Sequence, residues 1–168
     1  MKQAPGLLAG FFQLGYVVRD VNSAVAWYKR QFGPLDFQVV ETPPEKQHPI
    51  RANAFTWIRE VMIEFIQIDP SQPSIYLDYL PDSGDQIAFH HTGYMVEDQD
   101  AALAQAVRLG YEIPMGEALT TADGEDLLDF AYADTRRDMG HFCEFIRLGP
   151  AGRAWFSSVP GFVRFPID

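Results

Sequence analysis

A chain of 168 residues, 47% hydrophobic and 21% charged, holds enough apolar material for one domain with a sizeable core and too much for a disordered chain. Its formal net charge of −10, with no basic run, excludes nucleic acid and anionic membrane surfaces as partners. No apolar run approaches the ~20 residues of a membrane span. Cys143 is the only cysteine, so no intramolecular disulfide can form, and the chain reads as cytoplasmic.

Residues 1–12 carry one lysine and the short apolar patch "LLAGFF". They read as the lead-in to a first strand at 13–18, in which Tyr16 and Val18 alternate with smaller residues. Asp20 or Asn22 caps a helix over 22–32, with Val21, Ala24, Val25, Tyr28 and Phe32 near one face and Gly33-Pro34 ending it. Three strand-like runs follow, "LDFQVVE" (35–41), "RANAFTWI" (51–58) and "VMIEFIQI" (61–68), the last two joined by an Arg59-Glu60 turn. Residues 69–87, rich in proline, form a connector in which "SIYLDYL" makes a short helix.

The chain then repeats itself. "HTGYMVEDQDAALAQAVRLG" (91–110) set under "QLGYVVRDVNSAVAWYKRQF" (13–32), an offset of 91 − 13 = 78, shares seven of twenty residues, among them Gly15/Gly93, Tyr16/Tyr94, Val18/Val96 and Asp20/Asp98. The second helix, 99–109, is capped by Asp98 or Asp100, faces inward with Ala102, Leu103, Ala106 and Leu109, and ends at Gly110. Strand-like runs recur at 111–115, 127–134 and 141–148. Each half therefore reads β-α-β-β-β. The expected architecture is α+β: one domain over 1–168 with tandem βαβββ modules at 10–68 and 88–148, a connector at 69–87 and a covering tail at 149–168.

Such a unit carries its helix on one face of an open sheet, and two units together curl into a cup lined by the other face. Leu14, Tyr16 and Val18 fit the helix side, which turns Gln13 toward the cup; by the same alternation His91 and Gly93 line it and His90 does not. Glu64 and Glu144 sit inside apolar runs, where a carboxylate is costly unless paired, hydrogen-bonded or bound to metal. Their separation, 144 − 64 = 80, nearly equals the repeat offset, so the two glutamates are equivalent positions, as are Gln13 and His91. Four polar side chains at symmetry-related strand sites would converge inside the cup. Plainer readings exist. Arg59 or Arg147 could pair a mid-strand glutamate, and Gln13 could be a hydrogen-bonding cup residue. His48, His90 and His141 read as surface or hairpin residues, and Cys143 as an inert buried thiol.

The two H/Q-x-G-φ-φ-V-x-D segments, the order of elements over about 10–148 and the "GHFCEF" hairpin end resemble the vicinal oxygen chelate superfamily, which includes glyoxalase I, methylmalonyl-CoA epimerase, extradiol dioxygenases and bleomycin-resistance proteins. The resemblance implies metal ligands at Gln13, Glu64, His91 and Glu144, with Glu144 as mobile base and Glu64 as its partner. One imidazole, two carboxylates and an amide oxygen suit a divalent Zn, Ni, Co, Mn or Fe ion. The implied activity is a glyoxalase-like isomerase, epimerase or lyase that abstracts a proton next to a carbonyl through a metal-stabilised enediolate. A small-molecule substrate and a homodimer are implied as partners. The alternatives are a metal-free sequestering protein of the bleomycin-resistance type, or an extradiol-type dioxygenase, which would want a histidine where Gln13 stands.

Overall fold

The computed structural model describes residues 6–167 and is mixed α+β, with eight strands and four α-helices among them. In chain order these are β1 (Phe11–Val18), α1 (Val21–Phe32), β2 (Gln38–Glu41), β3 (Ile50–Ile58), β4 (Val61–Ile68), a 3-10 turn (Leu77–Tyr79), β5 (Ile87–Met95), α2 (Gln99–Arg108), β6 (Met115–Thr120), β7 (Asp126–Ala133), α3 (Arg136–Met139), β8 (Phe142–Leu148) and α4 (Pro150–Ser158). The lead-in expected over 1–12 is described from Gly6 onward; residues 1–5 and Asp168 lie outside the described residues. The chain forms two compact units. One is Leu14–His90 with Val159–Val163, and the other joins the stretch ending at Gln13, His91–Ser158 and the stretch from Arg164.

In the first unit the strands run in the order β2-β3-β4-β1, with β2/β3 and β3/β4 antiparallel. Asp20 opens α1 by accepting the Ser23 N–H at 2.7 Å, which satisfies one of the helix's free N-terminal donors. Val21 and Ala24 of α1 bury against Val18, Ala52, Ala54, Ile63 and Phe65, with Leu14, Tyr16 and Tyr28 packed around them. That assigns the faces. Ala52, Ala54, Ile63 and Phe65 lie under the helix, so the residues between them, Asn53 and Glu64, lie on the opposite face. Phe32 was expected on the inner face but is exposed, its ring nearly perpendicular to that of Trp27 and tilted against that of Tyr28 at the helix end.

β2 covers β3 only as far as Phe55. Two residues on, the Trp57 N–H faces the same uncovered edge and donates to Pro160 O at 2.8 Å. Gly161 makes this approach possible: its φ is +83°, and a Cβ there would stand 2.2 Å from Trp57 O. Phe162 closes the contact with its ring 5.5 Å from that of Trp57.

In the second unit the order is β5-β8-β7-β6, with β5/β8 parallel and the other pairs antiparallel. Asp98 caps α2 by accepting the Ala101 N–H at 2.9 Å. Ala102 and Ala106 bury against Tyr94, Ala133, Cys143 and Phe145. Leu109 is exposed, because α2 ends at Arg108 and Leu109 is already its cap. β6 starts at Met115, not at Tyr111, since Tyr111 still donates its N–H to Ala106 O and Pro114 has none to give. The run before β8 makes the short helix α3 and turns at Gly140, and the tail, unassigned from sequence, contains α4. Among the described residues no helix is long and apolar enough to cross a membrane.

Candidate functional site

Glu144 is placed by β8, where Cys143 and Phe145 turn under α2 and their neighbours Phe142, Glu144 and Ile146 turn the other way. Gly93 of β5 and Tyr132 of β7 flank Glu144 on the adjoining strands. His91, two residues before Gly93 on the same face, brings Nε2 to 3.2 Å from Glu144 Oε2. Both side chains are out of water, at 0% and 6% exposure. The rings of Tyr132 and His91 pack nearly perpendicular, at 80°, with centroids 5.1 Å apart.

Gln13 completes this cluster because Gly93 has no side chain. A Cβ at Gly93 would lie 2.6 Å from Gln13 Oε1 and 2.7 Å from Gln13 Cβ, so the amide occupies the space above the glycine. Gln13 is itself buried. The second unit thus brings three of the four expected ligands together: Gln13 over Gly93, Gly93 beside Glu144, and His91 against Glu144.

Glu64 stands in the first unit at the middle of β4, buried, opposite Phe55 of β3. Asn53 donates its amide Nδ2–H to Glu64 Oε1 at 2.8 Å. Glu64 and Glu144 are the two buried carboxylates among the described residues. Arg147 does not serve Glu144; it is spent on Asp129 at 2.6 Å and Asp126 at 2.9 Å. Those two carboxylates hold the Arg147 guanidinium protonated well beyond its ordinary range.

The remaining expectations sort by contact. His48 takes the Ile50 N–H at Nδ1, and His141 lies against Met139 O and Thr92 Oγ1, both turn positions as read. His90 is the correction: it is fully buried, because the 3-10 turn lays Tyr76 and Tyr79 against it, each with a ring centroid 4.7 Å away. Cys143 is buried under α2 near Thr135 Oγ1 and Met139 Sδ, on the face away from Glu144. Arg51 is engaged with Asp69. The contact of Asn53 with Glu64 was not read from sequence.

The donor set fits a divalent ion. A carboxylate and an imidazole shielded from water, beside an amide oxygen, are costly to hold without a cation and offer ligand atoms of the borderline-to-hard kind.

The family model described as the Glyoxalase/Bleomycin resistance protein/Dioxygenase superfamily matches residues 12–132. The chain belongs to this superfamily. Among solved structures, this glyoxalase-superfamily chain resembles methylmalonyl-CoA epimerase from Mycobacterium tuberculosis, with 19% identity, 90% of this chain and 96% of that chain covered, and a TM-score of 0.62. It also resembles a methylmalonyl-CoA epimerase in complex with methylmalonyl-CoA and NH4+, with 17% identity, 86% and 97% covered and a TM-score of 0.61. A Streptomyces coelicolor methylmalonyl-CoA epimerase bound to 2-nitronate-propionyl-CoA follows, with 17% identity, 83% and 94% covered and a TM-score of 0.60. At these identities what is shared is the fold. No curated protein matches the chain in sequence.

Proposed function

We propose that this protein is a metal-dependent enzyme of the isomerase, epimerase or lyase type that removes a proton from a carbon next to a carbonyl. The observation that carries the reading is the water-excluded pair of His91 Nε2 and Glu144 Oε2, 3.2 Å apart, beside a buried Gln13. Gln13, Glu64, His91 and Glu144 would hold the ion. Glu64, His91 and Glu144 are all buried, and each offers one ligand atom of a suitable kind. Two carboxylates balance a 2+ charge. A divalent ion, one of Zn, Ni, Co, Mn or Fe, would polarise the substrate carbonyl and acidify the adjacent C–H. Glu144 takes the proton from carbon, and Glu64 is its partner carboxylate. Tyr132 keeps the imidazole of His91 in the plane that presents Nε2 to Glu144.

Within this family the epimerase branch is favoured, because the three solved structures compared above are methylmalonyl-CoA epimerases. The substrate class is a small 2-substituted acyl thioester. The same reading takes the protein as a cytoplasmic homodimer, with residues 10–68 and 88–148 as its modules, 69–87 as connector and 149–168 as tail. A sequestering protein without metal would have no use for two buried carboxylates.

Elemental analysis of untagged protein, beside the Glu64→Ala/Glu144→Ala double variant, tests the reading. About one transition-metal ion per chain, absent from the variant, supports it. Loss of the α-proton of methylmalonyl-CoA in D2O, followed by NMR, then tests the branch. A native protein that holds no metal and takes up none on titration sinks the proposal in favour of the sequestering alternative.

A further inference from the structure

The two buried glutamates occupy equivalent places in two hairpins of identical register. Glu64 of β4 faces Phe55 of β3, and Ile66 faces Asn53. Glu144 of β8 faces Tyr132 of β7, and Ile146 faces Phe130. Asn53 in one hairpin therefore stands where Phe130 stands in the other, and each lies diagonally beside its glutamate on the same face. The consequence is unequal. Asn53 reaches Glu64 Oε1 at 2.8 Å, and because a carboxylate oxygen only accepts, the amide nitrogen must be the atom that faces it. Phe130 has no donor and leans its ring on Tyr132. Among the described residues, Glu144 takes no hydrogen bond from a side-chain amide; its neighbour is His91.

We infer that Asn53 is a positioning residue that fixes Glu64 as a stationary ligand and leaves Glu144 as the carboxylate that moves to carry the proton. This rests on the metal-dependent reading above, in which Glu144 already takes the proton, and adds what holds Glu64 in place. Asn53 holds one Glu64 oxygen and the rotamer with it, and so sets how Glu64 presents its ligand atom to an ion. Groups behind a ligand set its orientation, and their loss typically weakens metal binding by about 10–100-fold. A carboxylate that shuttles a proton must leave its ground-state position, and the contact that Glu144 gives up in doing so is the one with His91.

The test is Co(II) binding to the metal-stripped full chain, read by titration calorimetry and by the visible spectrum of the bound ion. Asn53→Leu is expected to weaken binding about 10–100-fold and to change the Co(II) spectrum at saturation. Asn53→Ser, smaller and polar, is read in the same way should the leucine variant not fold. Phe130→Asn, which supplies the missing donor beside Glu144, is expected to tighten binding by up to about 10-fold. Native protein that binds no Co(II) overturns the metal-dependent reading and this inference with it. Native binding together with unchanged affinity and spectrum in the Asn53 variants overturns the role of Asn53 alone. Unchanged affinity in Phe130→Asn overturns the claim that an amide donor at this place in the hairpin positions the glutamate beside it.

Discussion

Glu144 is buried at 4% exposure with an imidazole as its near neighbour, an arrangement that a folding core does not ask for. Replacing it with glutamine keeps the shape and removes the charge, so fold and chemistry can be separated. Glu144→Gln should leave the metal-free protein within about 1 kcal/mol of native in urea unfolding, because a neutral amide is cheaper to bury than a carboxylate. Proton exchange on substrate should fall by about 10²–10⁴, the range for loss of a general base. Gly93 makes the opposite experiment. Its missing Cβ is the room that Gln13 fills, and Gly93→Ala would press a methyl to 2.6 Å from Gln13 Oε1. The side chain of Gln13 must swing away, at a stability cost of about 1–3 kcal/mol for an overpacked interior site. Elemental analysis of the purified variant should then show reduced metal content. Retention of full occupancy would remove Gln13 from the ligand set.

The elements show how much a sequence exposes. β4 runs over Val61–Ile68, as its largely apolar run indicates, and both capping aspartates, Asp20 and Asp98, do what their positions promise. Alternation also put Leu14, Tyr16 and Val18 under α1, which is why Gln13 could be assigned to the other face from sequence, while Glu64 was singled out as a carboxylate inside an apolar run. What was missed depends on partners far along the chain. The tail reads only as a covering segment until Pro160 is seen to take the Trp57 N–H beyond the end of β2. His90 reads as a surface residue until the connector lays two tyrosines on it. Asn53 could have been found: the Arg59-Glu60 turn sets Phe55 opposite Glu64, and Asn53 is then the same-face diagonal neighbour. The same hairpin carries a prediction at this scale. Asp69, just past β4, accepts from Ser71 and from Arg51 of β3, and these bonds, that of Ser71 foremost, hold its carboxyl down at about 2 from an ordinary 3.8. A depressed folded value means the contribution to stability is present above pH 3.8 and drains away as pH falls toward 2. Urea midpoints measured from pH 5 to pH 2 should fall more steeply for the native chain than for Asp69→Asn. Parallel curves would show that the Arg51–Asp69 clip carries no pH-dependent stability.

At the scale of the whole molecule, the net charge of −10 bears on the substrate. A CoA thioester is itself a polyanion, so protein and substrate repel at long range even where the site is locally suited to the thioester. Raising ionic strength from 0.01 M to 0.15 M shortens the screening length from about 30 Å to about 8 Å. If the substrate is an acyl-CoA, kcat/KM should rise with added KCl over this interval, by up to about 10-fold, the lower end of what such fields do to association rates. The effect should sit in kcat/KM and leave kcat nearly flat, because screening acts on approach and not on the buried carboxylates once the complex has formed. A small uncharged carbonyl compound would show no salt dependence in either constant. The profile therefore distinguishes the two substrate classes on one protein sample. A kcat/KM that falls with salt would mean that a local group of lysines and arginines steers the anion in against the overall field.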